Sequence, residues 1–238
     1  MISKPIIVVS GEPNSVFLEI FFKVLQKNNF KKPIILIVSK KLLIEQMKKL
    51  NFKFKINLVD KNINFKKLEL KKINIINVNF NFKNIFEKIS NKSNSYIDRC
   101  FKIGLNILDR NKGCGLINGP ISKKNFLKRK FLGITEYLAN KTNCQKKIAM
   151  LIYNKQLSVS PITTHLPLKE VYKNISKEKI ITHVKLIKEF YKKNFKKNPK
   201  IAITGLNPHC ESNYKSSEEE MIIKPAISYL IKKKYKID

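Results

Sequence analysis

Arginine is scarce: the 238-residue chain has three (Arg99, Arg110, Arg129) among 49 basic residues. Acidic residues are also few, 17 in all, so the formal net charge is +32. Such a balance ordinarily points to nucleic acid or an anionic membrane. The arginine shortage argues against that, because planar bidentate recognition of phosphate and guanine favours the guanidinium. The lysines are spread along the chain with Asn, Ile and Phe, and no single basic helix or tail holds them. AT-rich codons produce that joint enrichment whatever a protein does, so the charge is read as compositional background and no nucleic-acid partner is expected. No apolar run reaches the roughly 18 residues of a membrane span, and no membrane partner is expected either. The Met1 region, with Lys4 and Pro5 before a short apolar run ending at Gly11, has no credible signal-peptide cleavage site. Four cysteines (Cys100, Cys114, Cys144, Cys210) form no CxxC pair and no disulfide framework, so a reduced, cytoplasmic chain is expected.

What is present is a globular composition, 43% hydrophobic, in a chain long enough for one large domain or two α/β lobes. Apolar runs at 6–9, 33–38, 56–59, 73–78 and 114–117 read as strands. Helical patterns fall at 15–26, 40–49 and 95–109. This alternation predicts a parallel, layered α/β sheet. Further strands are expected at 148–153, 157–162 and 200–204, with helices over 177–190 and 216–233. The charged stretch 123–130 sets a boundary between a first lobe, residues 1–130, and a second, residues 131–238. Residues 225–238 read as a helix and connector with no closing strand.

Histidine is as rare as arginine, with three residues. His165 and His209 follow predicted strands and would emerge at the carboxyl edge of a sheet, where the active sites of open α/β folds lie. Two imidazoles there could hold a divalent ion; they could equally be unrelated loop histidines, since no HxxxH pattern exists. His183, within a lysine-rich helix, reads as a surface or helix-face residue. Gly11-Glu12-Pro13 is a strand-to-helix turn with Ser15 as its cap. It carries neither GxGxxG nor a P-loop pattern, which disfavours a standard Rossmann domain. Asn118-Gly119-Pro120 with Ser122 and Lys123 could offer amides and an ammonium to an anion. Thr135 could cap a helix. The carboxylates Glu218, Glu219 and Glu220 suit a helix first turn, and Cys114 suits a strand core.

Several segments in order resemble the 4-hydroxythreonine-4-phosphate dehydrogenase family. They are Ser10-Gly11-Glu12-Pro13, Gly119-Pro120-Ile121-Ser122-Lys123, Gly133-Ile134-Thr135-Glu136-Tyr137-Leu138-Ala139, Thr163-Thr164-His165-Leu166-Pro167-Leu168 and Gly205-Leu206-Asn207-Pro208-His209, followed by Glu218-Glu219 and Pro225-Ala226. The resemblance implies the isocitrate/isopropylmalate-dehydrogenase-like fold, two α/β/α lobes flanking a cleft, with NAD bound without a Rossmann fingerprint. It implies oxidation and decarboxylation of 4-phosphooxy-L-threonine to 3-amino-2-oxopropyl phosphate in vitamin B6 synthesis. It further implies a homodimer with its active site at the subunit interface, and a divalent metal, zinc, magnesium or cobalt, on His165 and His209. Thr135 matches a substrate-binding threonine.

Three departures stand beside these matches. The family's substrate-binding histidine is Ile134 here, a side chain that neither titrates nor hydrogen-bonds. After Glu12-Pro13, Asn14, Ser15, Val16, Phe17 and Leu18 replace small, glycine-rich residues. The family sequence continues beyond the equivalent of Asp238 with a third metal histidine and with lysine, asparagine and arginine that hold substrate. A C-terminally truncated member is therefore expected, possible outcomes being an inactive fragment, a dehydrogenase of another phosphorylated hydroxy acid, or a noncatalytic dimerisation partner.

Overall fold

The computed structural model describes residues 4–128, 130–145, 147–206 and 215–238. They fall into two compact units, one running through Lys130 and the other starting at Phe131.

The first unit is built on a five-stranded, all-parallel sheet. Its strands are β1 (Ile6–Val9), β2 (Ile34–Val38), β3 (Ile56–Leu58), β4 (Ile73–Asn77) and β5 (Gly115–Asn118), in the spatial order β3-β4-β2-β1-β5. Val9 stands opposite Ile37 on one side and Asn118 on the other. The inner strands β1 and β2 are continuous Ile, Val and Leu runs because both faces of a parallel sheet are covered. Strand alternation assigns each face its helices. Val8, Leu36, Val38, Ile73 and Ile75 pack with Leu18, Phe21 and Phe22 of α1 (Phe17–Lys27) and Leu43 of α2 (Lys40–Lys49). The opposite face, with Val9, Ile37 and Leu116, receives α3 (Asn94–Asp109). Gly104 makes that approach possible: a Cβ there would lie 2.9 Å from Leu116 Cδ1 and 3.1 Å from Val9 Cγ2. The unit is thus an α/β/α sandwich.

Most sequence-read boundaries here differ from the structure by one or two residues. Cys114 is a correction: it lies outside β5 and is exposed, because the ladder begins only at Gly115. Ser15 sits one residue before the cap position of α1, yet its hydroxyl accepts the Phe17 N–H at 3.3 Å and donates to the Glu12 carbonyl at 2.7 Å.

The second unit contains α4 (Ile134–Lys141), α5 (Leu168–Val171), α6 (Lys177–Phe195) and α7 (Lys224–Lys232), with a π-helical turn, Glu219–Ile223, leading into α7. Ile180, Ile223 and Ala226 form its buried centre, with Ile162, Ile175 and Ile203 packed around them. The strands expected at 148–153, 157–162 and 200–204 shrink to single pairings. Ile152 and Val159 exchange antiparallel hydrogen bonds of 2.8 and 3.0 Å, and Ile201 bridges Ile237 in parallel. Ile152, Leu157 and Val159 are exposed; apolar alternation made these segments read as strands, but a ladder also needs a neighbour, and among the described residues none extends it. Residues 236–238, expected to lack a strand, donate and accept three backbone bonds with 201–203. No helix among the described residues is long and apolar enough to cross a membrane.

Candidate functional site

In the first unit, chemistry-bearing residues gather where β1 and β5 end side by side. The chain leaves β1 toward α1 and β2, while β5 lies on β1's other side, so this is a topological switch point, the usual ligand crevice of an open α/β sheet. Here the crevice is largely filled by backbone. Gly11 has φ +72°, and a Cβ on it would lie 2.3 Å from the Pro120 carbonyl oxygen; a Cβ on Gly119 would lie 2.1 Å from that of Ser10. The Glu12 N–H donates to the Pro120 carbonyl at 2.8 Å, locking the two turns together.

Glu12 is 2% exposed. Its two buried carboxyl oxygens are partnered, one accepting the Ser93 hydroxyl at 2.8 Å and the other the Asn14 N–H at 3.3 Å. Asn14 Oδ1 in turn accepts the Glu87 N–H. A second strand of this network joins the Tyr96 hydroxyl to Ser10 Oγ at 3.2 Å and to the Ser39 N–H at 3.0 Å. Burial drives the Tyr96 phenol far above its ordinary range. It also pushes the Cys100 thiol, one turn along α3, up to about 12. The sequence displayed Glu12 but not these partners. Lys123, the anion candidate beside Gly119, is exposed on a five-residue π-helical turn capped by Ser122, whose Oγ accepts the Asn125 N–H.

In the second unit two predicted segments converge on Gly133. A Cβ on this buried glycine would lie 3.0 Å from Glu136 Oε2 and 3.3 Å from His165 Cε1, so the missing side chain leaves room for both. Gly133, and not Thr135, occupies the cap position of α4, with no side-chain cap bond; extended backbone there starts the helix two residues early. Ile134 and Thr135 are its first two residues, both half-buried. Thr135 lines two cavities, of about 590 and 540 Å³. Thr164 donates its hydroxyl to Glu136 Oε1 at 3.0 Å, tying the segment that carries His165 to α4. His165 is exposed at φ +55°, a left-handed conformation that non-glycine residues adopt sparingly. Since its predicted strand is reduced to a bridge, the ring is presented by a bend and not by a sheet edge.

His209 and Cys210 lie outside the described residues, as does Glu211. Among the described residues no three His, Cys, Asp or Glu side chains group as a metal site. Glu219 and Glu220 do stand in a first turn, and Glu219 is buried, accepting the Leu206 N–H at 3.1 Å. His183 needs correction: it is 7% exposed, on the inner face of α6, because the lysine-rich sequence around it wraps a narrow apolar stripe that includes Ile180 and Val184.

Comparison with known proteins adds the family. The family model described as "Pyridoxal phosphate biosynthetic protein PdxA" matches residues 29–238. The 4-hydroxythreonine-4-phosphate dehydrogenase of Wigglesworthia glossinidia brevipalpis is 31% identical over 235 residues, 94% of this chain and 68% of that enzyme. The enzyme of the same name from a Sulfurihydrogenibium species is 46% identical over 123 residues, 50% of this chain and 38% of its own length. The crystal structure of the Klebsiella pneumoniae 4-hydroxythreonine-4-phosphate dehydrogenase matches with a TM-score of 0.82 at 21% identity, covering 99% of this chain and 74% of that one. These matches give the α/β fold with its parallel sheet a place in the isocitrate/isopropylmalate-dehydrogenase-like class, and the chain belongs to the PdxA family of pyridoxal phosphate biosynthetic proteins.

Proposed function

We propose that the chain acts as a 4-hydroxythreonine-4-phosphate dehydrogenase, oxidising 4-phosphooxy-L-threonine with NAD and releasing carbon dioxide to leave 3-amino-2-oxopropyl phosphate. The observation that carries this reading is the convergence of Thr135, Glu136, Thr164 and His165 around Gly133 in a chain of this family. Thr135 offers a hydroxyl at the wall of two cavities, suited to an oxygen of the substrate. Ile134 contributes shape alone, so hydrogen bonding at the start of α4 falls to Thr135.

Among the described residues, His165 is the donor whose chemistry suits a divalent ion. His165 presents an exposed imidazole, and an imidazole suits zinc or cobalt while carboxylate and water suit magnesium. His165 and His209 would hold the ion, which supplies Lewis acidity at the substrate hydroxyl when bound. The Thr164–Glu136 bond steadies the bend behind His165, the kind of support that orients a ligating imidazole. A homodimer in the cytoplasm, with the partner subunit completing the site, accords with this reading, as does a phosphorylated small molecule as partner in place of nucleic acid.

The test is NADH formation by the full chain with 4-phosphooxy-L-threonine, NAD and added zinc, magnesium or cobalt. Turnover should appear with metal and fall by at least about a hundredfold in His165→Ala, with unchanged thermal melting. Absence of turnover and of substrate binding in the unaltered protein would overturn the assignment.

A further inference from the structure

On the sheet face that carries α1 and α2, one row of side chains crosses the first unit from edge to edge. Leu58, Ile75, Leu36, Val8 and Ile117 stand in register on β3, β4, β2, β1 and β5. The middle three are buried, while Leu58 and Ile117 at the two ends are 57% and 54% exposed. The ends differ in what surrounds them. β3 is hemmed by charge, with Lys55 before it and Asp60 and Lys61 after it, the usual protection of a sheet edge against pairing with another chain. β5 has no such protection: no residue from Gly113 through Ser122 is charged, in a chain with 49 basic residues. No strand among the described residues lies beyond β5, and a Cβ on Gly115 would meet nothing within 4 Å.

The neighbouring flank of α1 is apolar as well. Phe17 marks that flank, since a Cβ on Gly119, just past the end of β5, would lie 2.8 Å from Phe17 Cγ. Val24 follows about two helical turns later, so it lies on the same flank. Val24 and nearby Ile20 are both exposed. An uncovered apolar strip therefore accompanies a strand edge whose outer backbone groups have no ladder partner.

Covering this strip takes a strand edge and apolar side chains, with no lysine set against lysine. A second copy of the chain meets these conditions. Paired antiparallel about a two-fold axis, Gly115-Leu116-Ile117-Asn118 faces itself without like charges across the ladder, whereas self-contact through a lysine-rich face of this +32 chain sets ammonium against ammonium. Four paired residues fall short of the roughly 1,200 Å² that a stable interface buries, and Ile117, Ile20 and Val24 of both copies add apolar area toward it. An acidic partner finds no cation on β5 to grip. We propose that β5 is a self-association edge, at which two copies pair their fifth strands antiparallel and join two five-stranded sheets into one of ten strands. This surface belongs to the first unit, whereas the dehydrogenase reading rests on residues of the second, so the two stand or fall separately.

Sedimentation of the full chain, with a nitroxide on the exposed Cys114 in a Cys144→Ser, Cys210→Ser background, tests the pairing. With β5 centred on its own copy, the two Cys114 Cα atoms lie about 17 Å apart, a separation that dipolar coupling between the labels reads. Ile117→Lys should weaken association by about a hundredfold or more, abolish the coupling and halve the sedimenting mass, whether the starting species is a dimer or a pair of dimers. Gly115→Lys, entering open space, should act in the same direction, and Leu58→Lys at the opposite edge should change neither mass nor coupling. Association should also tighten between about 10 mM and about 150 mM salt, because screening relieves the repulsion between two +32 copies and the paired strands have no ion pair to lose. A single-copy mass for the unaltered protein, or absence of coupling at Cys114, overturns the proposal. Unchanged mass and coupling in Ile117→Lys and Gly115→Lys also overturns it, assigns any dimer to another surface and leaves the dehydrogenase reading standing.

Discussion

At the scale of single residues, burial decides which groups are available for chemistry. Cys100 and Tyr96 share the face of α3 that lies on the sheet. Desolvation raises the Cys100 thiol from 9.0 to about 12 and moves Tyr96 in the same direction. A group whose acid form is favoured by folding keeps its proton while the unfolded chain loses it, so stability falls as pH rises between the unfolded and folded values. Urea midpoints should therefore drop from about pH 8 to about pH 10, and Cys100→Ala should shrink the drop. In the folded protein a thiol reagent should modify the exposed Cys114 and Cys144 quickly and leave Cys100 untouched until unfolding. The sequence misplaced Cys114 because it borders the apolar pair Leu116-Ile117, and only the ladder's starting point exposes it. The same limit hid the Glu12 network: Ser93 stands 81 positions away along the chain.

At the scale of elements, what was legible depended on whether an element's neighbours could be inferred from its own residues. The run at 34–38 is apolar on successive residues because helices cover both faces, and it reads directly as an inner strand. The pair 152 and 159 carries the same kind of residues, yet only one bridge forms, a fact about neighbours that no local pattern records. His165 and Thr135 were found by motif, and the structure brings Glu136, Thr164 and His165 together around Gly133, but the burial of His183 required the packing of α6. The turn after β5 is the element most exposed to substitution. Gly119→Ala would drive a methyl to 2.1 Å from the Ser10 carbonyl oxygen, backbone that cannot swing away, and to 2.8 Å from Phe17 Cγ. A loss of about 3 kcal/mol or more in chemical unfolding is expected, at the upper end of single-residue effects, whereas alanine at the unobstructed Gly115 should cost far less.

At the scale of the whole molecule, the +32 charge is a stability term as well as a compositional trace. Ion pairs among the described residues are mostly local lysine–carboxylate contacts three or four residues apart, such as Lys23–Glu19 and Lys102–Asp98, and with 17 carboxylates for 49 basic residues most lysines have no carboxylate to balance them. Self-repulsion should lower the melting temperature in about 10 mM salt relative to about 150 mM, with the gain levelling off as the screening length shortens. The sheet topology has a further consequence, for synthesis on the ribosome. Ile6 pairs in register with Ile34 early, but its other edge waits for Gly115, about eighty residues after Ile34. During that interval the most apolar strand pair of the first unit presents an open edge of backbone donors and acceptors, the kind of edge that captures other chains. The nascent protein therefore passes through a long stretch of elongation in which its own fifth strand is still unmade, and a chaperone that shields strand edges would act on it then, before β5 closes the sheet.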